Sequence, residues 1–223
     1  MKIKMALFVS ILVILSCQSL LSQTAGQQTS PSEKNPKAVE FIKRALVLED
    51  AGMLHRAIDT YKEVLKVEPK DFAAMNTIAG LYGKLELPIE EVLWAKKSIE
   101  TNPSFFQAYI NYGNGFAMQG KFEEANKAYQ DAAKLAPKSP LPIYGQGVVA
   151  ENQRRMKDAL EFYKRSVEID PKFENGLFSA TAMHANIRQF AEAKILLNKL
   201  LQLNPRDEDA RQMLAAVERE KPQ

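Results

Sequence analysis

The chain has 223 residues, with 30 Lys+Arg against 27 Asp+Glu and a formal charge of +3. Without Lys2 and Lys4, which lie in a leader-like segment, 28 basic residues face 27 acidic ones. Such a balance gives no support for a nucleic-acid binder working by phosphate neutralisation. Hydrophobic residues at 46% and charged residues at 26% indicate a globular chain. With 2 His and 1 Cys, His/Cys metal clusters and disulfide frameworks are excluded, and no metal or cofactor is expected. The 10 Gly and 11 Pro are few for a loop-rich β protein, so an all-α fold is expected.

Residues 1–16, MKIKMALFVSILVILS, place two lysines before an apolar run from Met5 to Leu15 that ends beside a small residue. This is the pattern of a secretory signal. The run is shorter than the ~20 residues of a permanent membrane span. Ile14-Leu15-Ser16-Cys17 resembles the bacterial lipobox, which implies that Cys17 is diacylated and becomes the new N-terminus. Two alternatives stand beside it: a plain cleaved signal that discards Cys17, and an uncleaved anchor reaching Ser22. The lipobox reading implies an exported lipoprotein held at a bacterial envelope membrane; plain cleavage implies a soluble periplasmic or secreted protein. Residues 17–37, rich in Gln, Ser, Thr and Lys, read as a tether with too little apolar surface to order itself.

From residue 38 a strict period takes over. Pro69, Pro103, Pro137, Pro171 and Pro205 recur with a constant period of 34. Twenty-four residues before them stand Ala45, Ala79, Gly113, Gly147 and Thr181, all small, and 28 before stand Phe41, Met75, Tyr109, Ile143 and Leu177, all large. Twelve, eight and four before each proline lies a second set, from Ala57, Tyr61 and Leu65 to Ala193, Leu197 and Leu201. Sites four apart share one face of a helix, and small residues let two helices approach closely. Each period is therefore two helices, with Gly52 and Gly120 at the break between them and each proline ending the second. Asp71, Ser104, Ser139 and Asp207 are candidate N-caps for the helices that follow.

The segment 106–139, FQAYINYGNGFAMQGKFEEANKAYQDAAKLAPKS, resembles the tetratricopeptide repeat (TPR) family through Tyr109, Tyr112, Gly113, Phe116, Gly120, Ala125, Tyr129, Ala132 and Pro137. Five repeats in one register are expected at 38–71, 72–105, 106–139, 140–173 and 174–207. The resemblance implies a right-handed superhelical solenoid of helix-turn-helix repeats. Residues 208–223 supply a capping helix with Ala210, Met213, Leu214 and Val217 on one stripe, and a tail. The second repeat departs most: Glu91 replaces a small residue, Ala95 a large one, and Pro88 enters the turn, so its second helix is expected to start late or pack loosely.

Gly115–Lys121 fits G-x-x-x-x-G-K, but Phe122 follows instead of Ser or Thr, and the register puts Gly115 inside a helix. His184 falls at an inter-helix packing position and His55 at a helix entrance, neither beside a nucleophile. Glu90-Glu91 and Glu123-Glu124 point about 100° apart and read as solvated faces rather than catalytic dyads. The unique Trp94 either covers the gap beside Ala95 or anchors a partner on the outer surface.

In TPR proteins the first helices line a concave groove. Carried onto this chain, the resemblance gives as groove residues Asn76, Gln107, Ile110, Asn114, Tyr144, Val148, Glu151 and Phe178. This neutral, amide-bearing and aromatic set departs from the family members that grip a C-terminal carboxylate with inward Lys, Arg and Asn. Asn76 and Asn114 are expected to pair with a peptide backbone, and Tyr144 and Phe178 to lie side by side as apolar anchors. The resemblance thus implies a non-enzymatic scaffold or adaptor binding a protein, peptide or helix, with the membrane reached through the N-terminal lipid, and neither nucleic acid nor a small-molecule substrate. A self-associating envelope component, or an assembly factor like the pilotins of pilus secretins, is the alternative.

Overall fold

A computed structural model of the chain describes residues 35–219. Cys17 and the lipidation expected there lie outside the described residues, as does most of the tether. The described residues form eleven helices and no strand, in two compact units.

The first unit, 35–136, holds α1 (Pro36–Asp50), α2 (Leu54–Val67), α3 (Phe72–Lys84), α4 (Pro88–Thr101), α5 (Phe106–Met118) and α6 (Phe122–Leu135). The second, 137–219, holds α7 (Leu141–Asn152), α8 (Met156–Ile169), α9 (Glu174–Asn186), α10 (Phe190–Leu203) and α11 (Glu208–Arg219). Helices pack as antiparallel hairpins, α1 on α2, α3 on α4, α5 on α6, α7 on α8 and α9 on α10, with α11 closing against α10. Ala210 and Val217 of α11 are buried with Leu197 and Leu200, and Met213 and Leu214 pack beside them. None of the described helices is long and apolar enough to cross a membrane.

Close approach within each hairpin rests on the small residue 24 before the proline. A Cβ added at Gly113 would lie 2.7 Å from the Tyr129 ring, and one at Gly147 would lie 2.6 Å from that of Tyr163. The residues 12 and 8 before every proline are buried too, Glu91 included. The third position of that stripe differs from the spacing read in the sequence. Leu65, Ile99, Ala133, Val167 and Leu201 are all half-buried, whereas Val64, Ser98, Ala132, Ser166 and Leu200, one residue earlier, are all buried. The packed face therefore follows i, i+4, i+7, which holds closer to a 3.6-residue turn than i, i+4, i+8.

The break between paired helices is one motif used five times. In each, the residue 17 before the proline is left-handed: Gly52 (φ 69°), Glu86 (56°), Gly120 (73°), Arg154 (61°) and Arg188 (63°). Its amide and the next one close back on the first helix, as Arg154 N donates to Glu151 O (2.9 Å) and Arg155 N to Ala150 O (2.8 Å). This is the Schellman ending, which glycine fits without a Cβ penalty.

Expected helix starts are met unevenly. Asp71 Oδ1 accepts from Ala74 N and Asp207 Oδ1 from Ala210 N, whereas Ser104 turns to Asn102 and Ser139 makes no cap. Asn35 caps α1, two residues ahead of the expected start. The second repeat corrects a further expectation. Its α4 starts at Pro88, and the distance from there to Pro103 is the same as from the first residue of α2, α6, α8 or α10 to its own proline. All five of these helices have 14 residues. Proline at the first helical position lacks only an amide that has no intrahelical partner there.

Three of the five left-handed positions carry a Cβ they could do without. Arg154→Gly should raise stability by about 1 kcal/mol, and Gly120→Ala should lower it by a similar amount. Urea unfolding midpoints measure both; no change at either site would mean that the turn relaxes out of the left-handed region.

Candidate functional site

Beyond the packed stripe, each of three hairpins carries a polar contact near the end of its first helix. In the first repeat Tyr61 Oη donates to Glu49 Oε1 at 2.9 Å, and Lys84 Nζ of the next hairpin stands 3.9 Å from Glu49 Oε2. In the third, Tyr129 Oη donates to Asn114 Oδ1 at 2.7 Å. In the fourth, Tyr163 Oη donates to Glu151 Oε2 at 2.6 Å. Burial, then the adjoining Glu49 or Glu151 carboxylate, holds the Tyr61 and Tyr163 phenols well above their ordinary range, so both stay protonated as donors. The side chains that hold the helix pairs thus also fix the polar groups of the first-helix face.

The structure assigns the expected groove residues to different tasks. Gln107, Ile110, Val148, Glu151 and Phe178 are half-buried on first helices, with Phe178 packed against the Leu177 cluster. Asn76 is buried, and its Oδ1 and backbone oxygen accept from Asn111 Nδ2 at 2.9 and 3.2 Å. With Asn114 held by Tyr129, both asparagine oxygens are spent on helix contacts. The expectation that these amides stand open to a peptide backbone is corrected for Asn76, which is buried; Asn114 is half-buried with its Oδ1 already held.

Tyr144 is corrected more sharply. It is 3% exposed, its ring 5.4 Å from that of Tyr163 and 5.3 Å from that of Phe173, and Ser179 Oγ stands 3.4 Å from its hydroxyl. It points between α7, α8 and α9 rather than outward, enclosed by Tyr163, Phe173 and Ser179. Tyr144→Ala should therefore cost about 3 kcal/mol of stability, measurable by urea unfolding, as loss of a core aromatic does. An unchanged midpoint would restore the ring to the surface.

Trp94 is half-buried, packs beside the cluster that includes Ile58, Tyr61 and Ile78, and carries Lys97 Nζ 4.0 Å over its ring. It is a covering residue. The exposed apolar pair on the same helix is Ile89 (70%) and Leu93 (51%), one turn apart, which the repeat pattern does not single out. Gly115 lies within α5, where an added Cβ would meet Val92 at 2.7 Å, so it serves helix packing rather than a phosphate cradle. His184 Nδ1 meets Gln189 Oε1 at 2.7 Å, His55 is exposed, and the described residues hold no group of three or more potential metal ligands.

Glu91 is the residue that a solvated-face reading misplaces. It is 2% exposed, its Oε2 has no hydrogen-bond partner among the described residues, and its carboxyl lies where a Cβ of Gly83 would sit, 2.8 Å from Oε1. Burial raises its pKa well above the ordinary 4.5. Above that ordinary value the unfolded chain releases the proton while the folded chain keeps it, so stability falls as pH rises until the folded carboxyl itself ionises. Glu91→Gln should remove this part of the pH dependence and raise stability at pH 7 by more than about 1 kcal/mol. Thermal melts of both proteins across the mildly acidic to mildly basic range measure it; parallel curves would show that Glu91 is not the buried acid.

Residues 113–172 match the family model described as "Tetratricopeptide repeat". The Hsp70-Hsp90 organizing protein of Triticum aestivum is 30% identical over 117 residues, covering 49% of this chain and 20% of that protein. The human tetratricopeptide repeat protein 6 is 23% identical over 145 residues, 50% of this chain and 28% of that one, so the chain spans well under half of these relatives. Among solved structures, the thermophilic TPR protein TTC0263 of Thermus thermophilus aligns with TM-score 0.70 at 18% identity, covering 81% of this chain and 98% of that one. Hairpins of constant period, small residues at the tight contacts and this likeness agree: residues 113–172 match tetratricopeptide repeats, and the described residues have the all-α fold of TPR solenoids.

Proposed function

We propose that the protein is a non-catalytic interaction scaffold that binds an extended peptide or a helix of a protein partner along its first-helix faces. One observation carries this reading: after the hairpin contacts are satisfied, Gln107 and Ile110 of α5 and Val148 of α7 remain half-buried, with part of each side chain in water. Apolar atoms fixed at such positions by rigid helices are where a partner gains burial at little entropic cost. A peptide library displayed on phage and panned on the full chain in mild detergent tests it. Binders should be recovered, and Ile110→Asp should weaken those held by the first unit, Val148→Asp those held by the second, about 10-fold each. Equal binding to both variants would move the interaction off these faces.

We further propose that the scaffold is held at a bacterial envelope membrane through Cys17, by analogy with the lipobox that Ile14–Cys17 resembles. Cys17→Ala should leave an unlipidated precursor and release it from the detergent phase; unchanged mass and partitioning would end the lipoprotein reading. A second reading, self-association, is favoured by Ile89 and Leu93, whose exposure one turn apart on α4 suits a contact between copies.

A further inference from the structure

We infer that Glu151, held by Tyr163, is the subsite on the second unit for one basic side chain, Lys or Arg, of a bound peptide. This deepens the scaffold reading and rests on it. The molecule itself supplies the template. Glu49 and Glu151 are each the penultimate residue of a first helix, α1 and α7, and each accepts the hydroxyl of the tyrosine 12 residues later. At the same distance beyond each stands the last residue of the next first helix, Lys84 of α3 and Asn186 of α9. In the first unit that position brings an ammonium, Lys84 Nζ, to 3.9 Å from Glu49, with both side chains largely buried at 22% and 17% exposure. In the second unit the same position holds an exposed amide, and Glu151 makes no ion pair with any described residue.

The carboxylate is nonetheless built for a cation. Tyr163 donates to Oε2 and fixes its direction, while no described residue donates to Oε1. Glu151 is half-buried beside Val148, one turn earlier on the same helix, so an attraction there is screened less than at an open surface. A single carboxylate offers too few oxygens for a divalent ion, which wants about six or more ligands. A lysine or arginine needs one acceptor and an apolar shelf for its methylene stem, and the Val148–Glu151 face presents both.

The displayed library distinguishes this inference from the reading beneath it. Peptides recovered on the full-length wild type should be enriched in Lys or Arg at one preferred place. The best binder, measured as a synthetic peptide by fluorescence polarisation, should lose about 10-fold in affinity for Glu151→Gln and weaken with added salt. Asn186→Lys, at an exposed helix end, should weaken it similarly by supplying in cis the ammonium that Lys84 supplies to Glu49; it decides the matter if Glu151→Gln fails to fold. Binders without basic enrichment, or with equal affinity for wild type and Asn186→Lys, overturn the subsite and leave peptide binding standing. Failure to recover any binder overturns both.

Discussion

The contact on which the rest depends is the meeting of a bulky side chain on a second helix with a small one on its partner. Tyr129 over Gly113 and Tyr163 over Gly147 leave no space for a Cβ, so they set how near the two helices lie. That distance lets a short Schellman turn join the pair, and the turn in turn needs one left-handed residue at a fixed place. The same tyrosines reach past the small residue to a carboxylate or amide near the end of the first helix. Packing, turn geometry and the polar pattern of the first-helix face are therefore three consequences of one interhelical approach.

This is why the fold is legible in the sequence. A small residue on the first helix, a tyrosine facing it from the second and a proline beyond, as in Gly113, Tyr129 and Pro137, admit few other arrangements, and five repetitions make the period unmistakable. What the pattern misses is local. Leu65 and its counterparts look like core because they are apolar, yet the helix turns Val64 and its counterparts inward, and two of those are serines. Ser98 and Ser166 can be buried because their hydroxyls donate to the Phe72 and Tyr163 carbonyls. Likewise Glu86, Arg154 and Arg188 take a glycine conformation with no glycine to announce it.

The first-helix face is less legible, for a different reason. A first-helix residue can look inward to a groove or sideways to the next hairpin, and repeat spacing does not separate the two. Tyr144 and Phe178 occupy one repeat position, yet Tyr144 is enclosed by Tyr163 and Phe173 while Phe178 is half-buried. The side chains around them, not the periodicity, decide. Polar groups obey the same logic. Asn76 and Asn114 resemble peptide-gripping amides until their partners Asn111 and Tyr129 are seen.

The second repeat shows how far the shared contact can be altered. Where the first and fourth repeats have Glu49, Ala57, Tyr61 and Glu151, Ala159, Tyr163, it has Gly83, Glu91, Ala95. The carboxyl has moved from the first helix to the second, the ring is gone, and the small residue has moved to the place that the carboxyl came from. Glu91 fits only because Gly83 lacks a Cβ, and Gly83 is tolerated in a helix because Glu91 fills the space beside it. No tyrosine stands at residue 95 to donate to the buried carboxyl, and Oε2 has no partner among the described residues. Trp94 restores some of the lost apolar cover from the next position on the helix. The hairpin keeps its register and its 14-residue second helix through all of this. Geometry is thus carried by total filling of the gap between helices, whereas the chemistry of the face, a hydroxyl-held carboxylate or a neutral floor of glycine, can change from repeat to repeat without disturbing it.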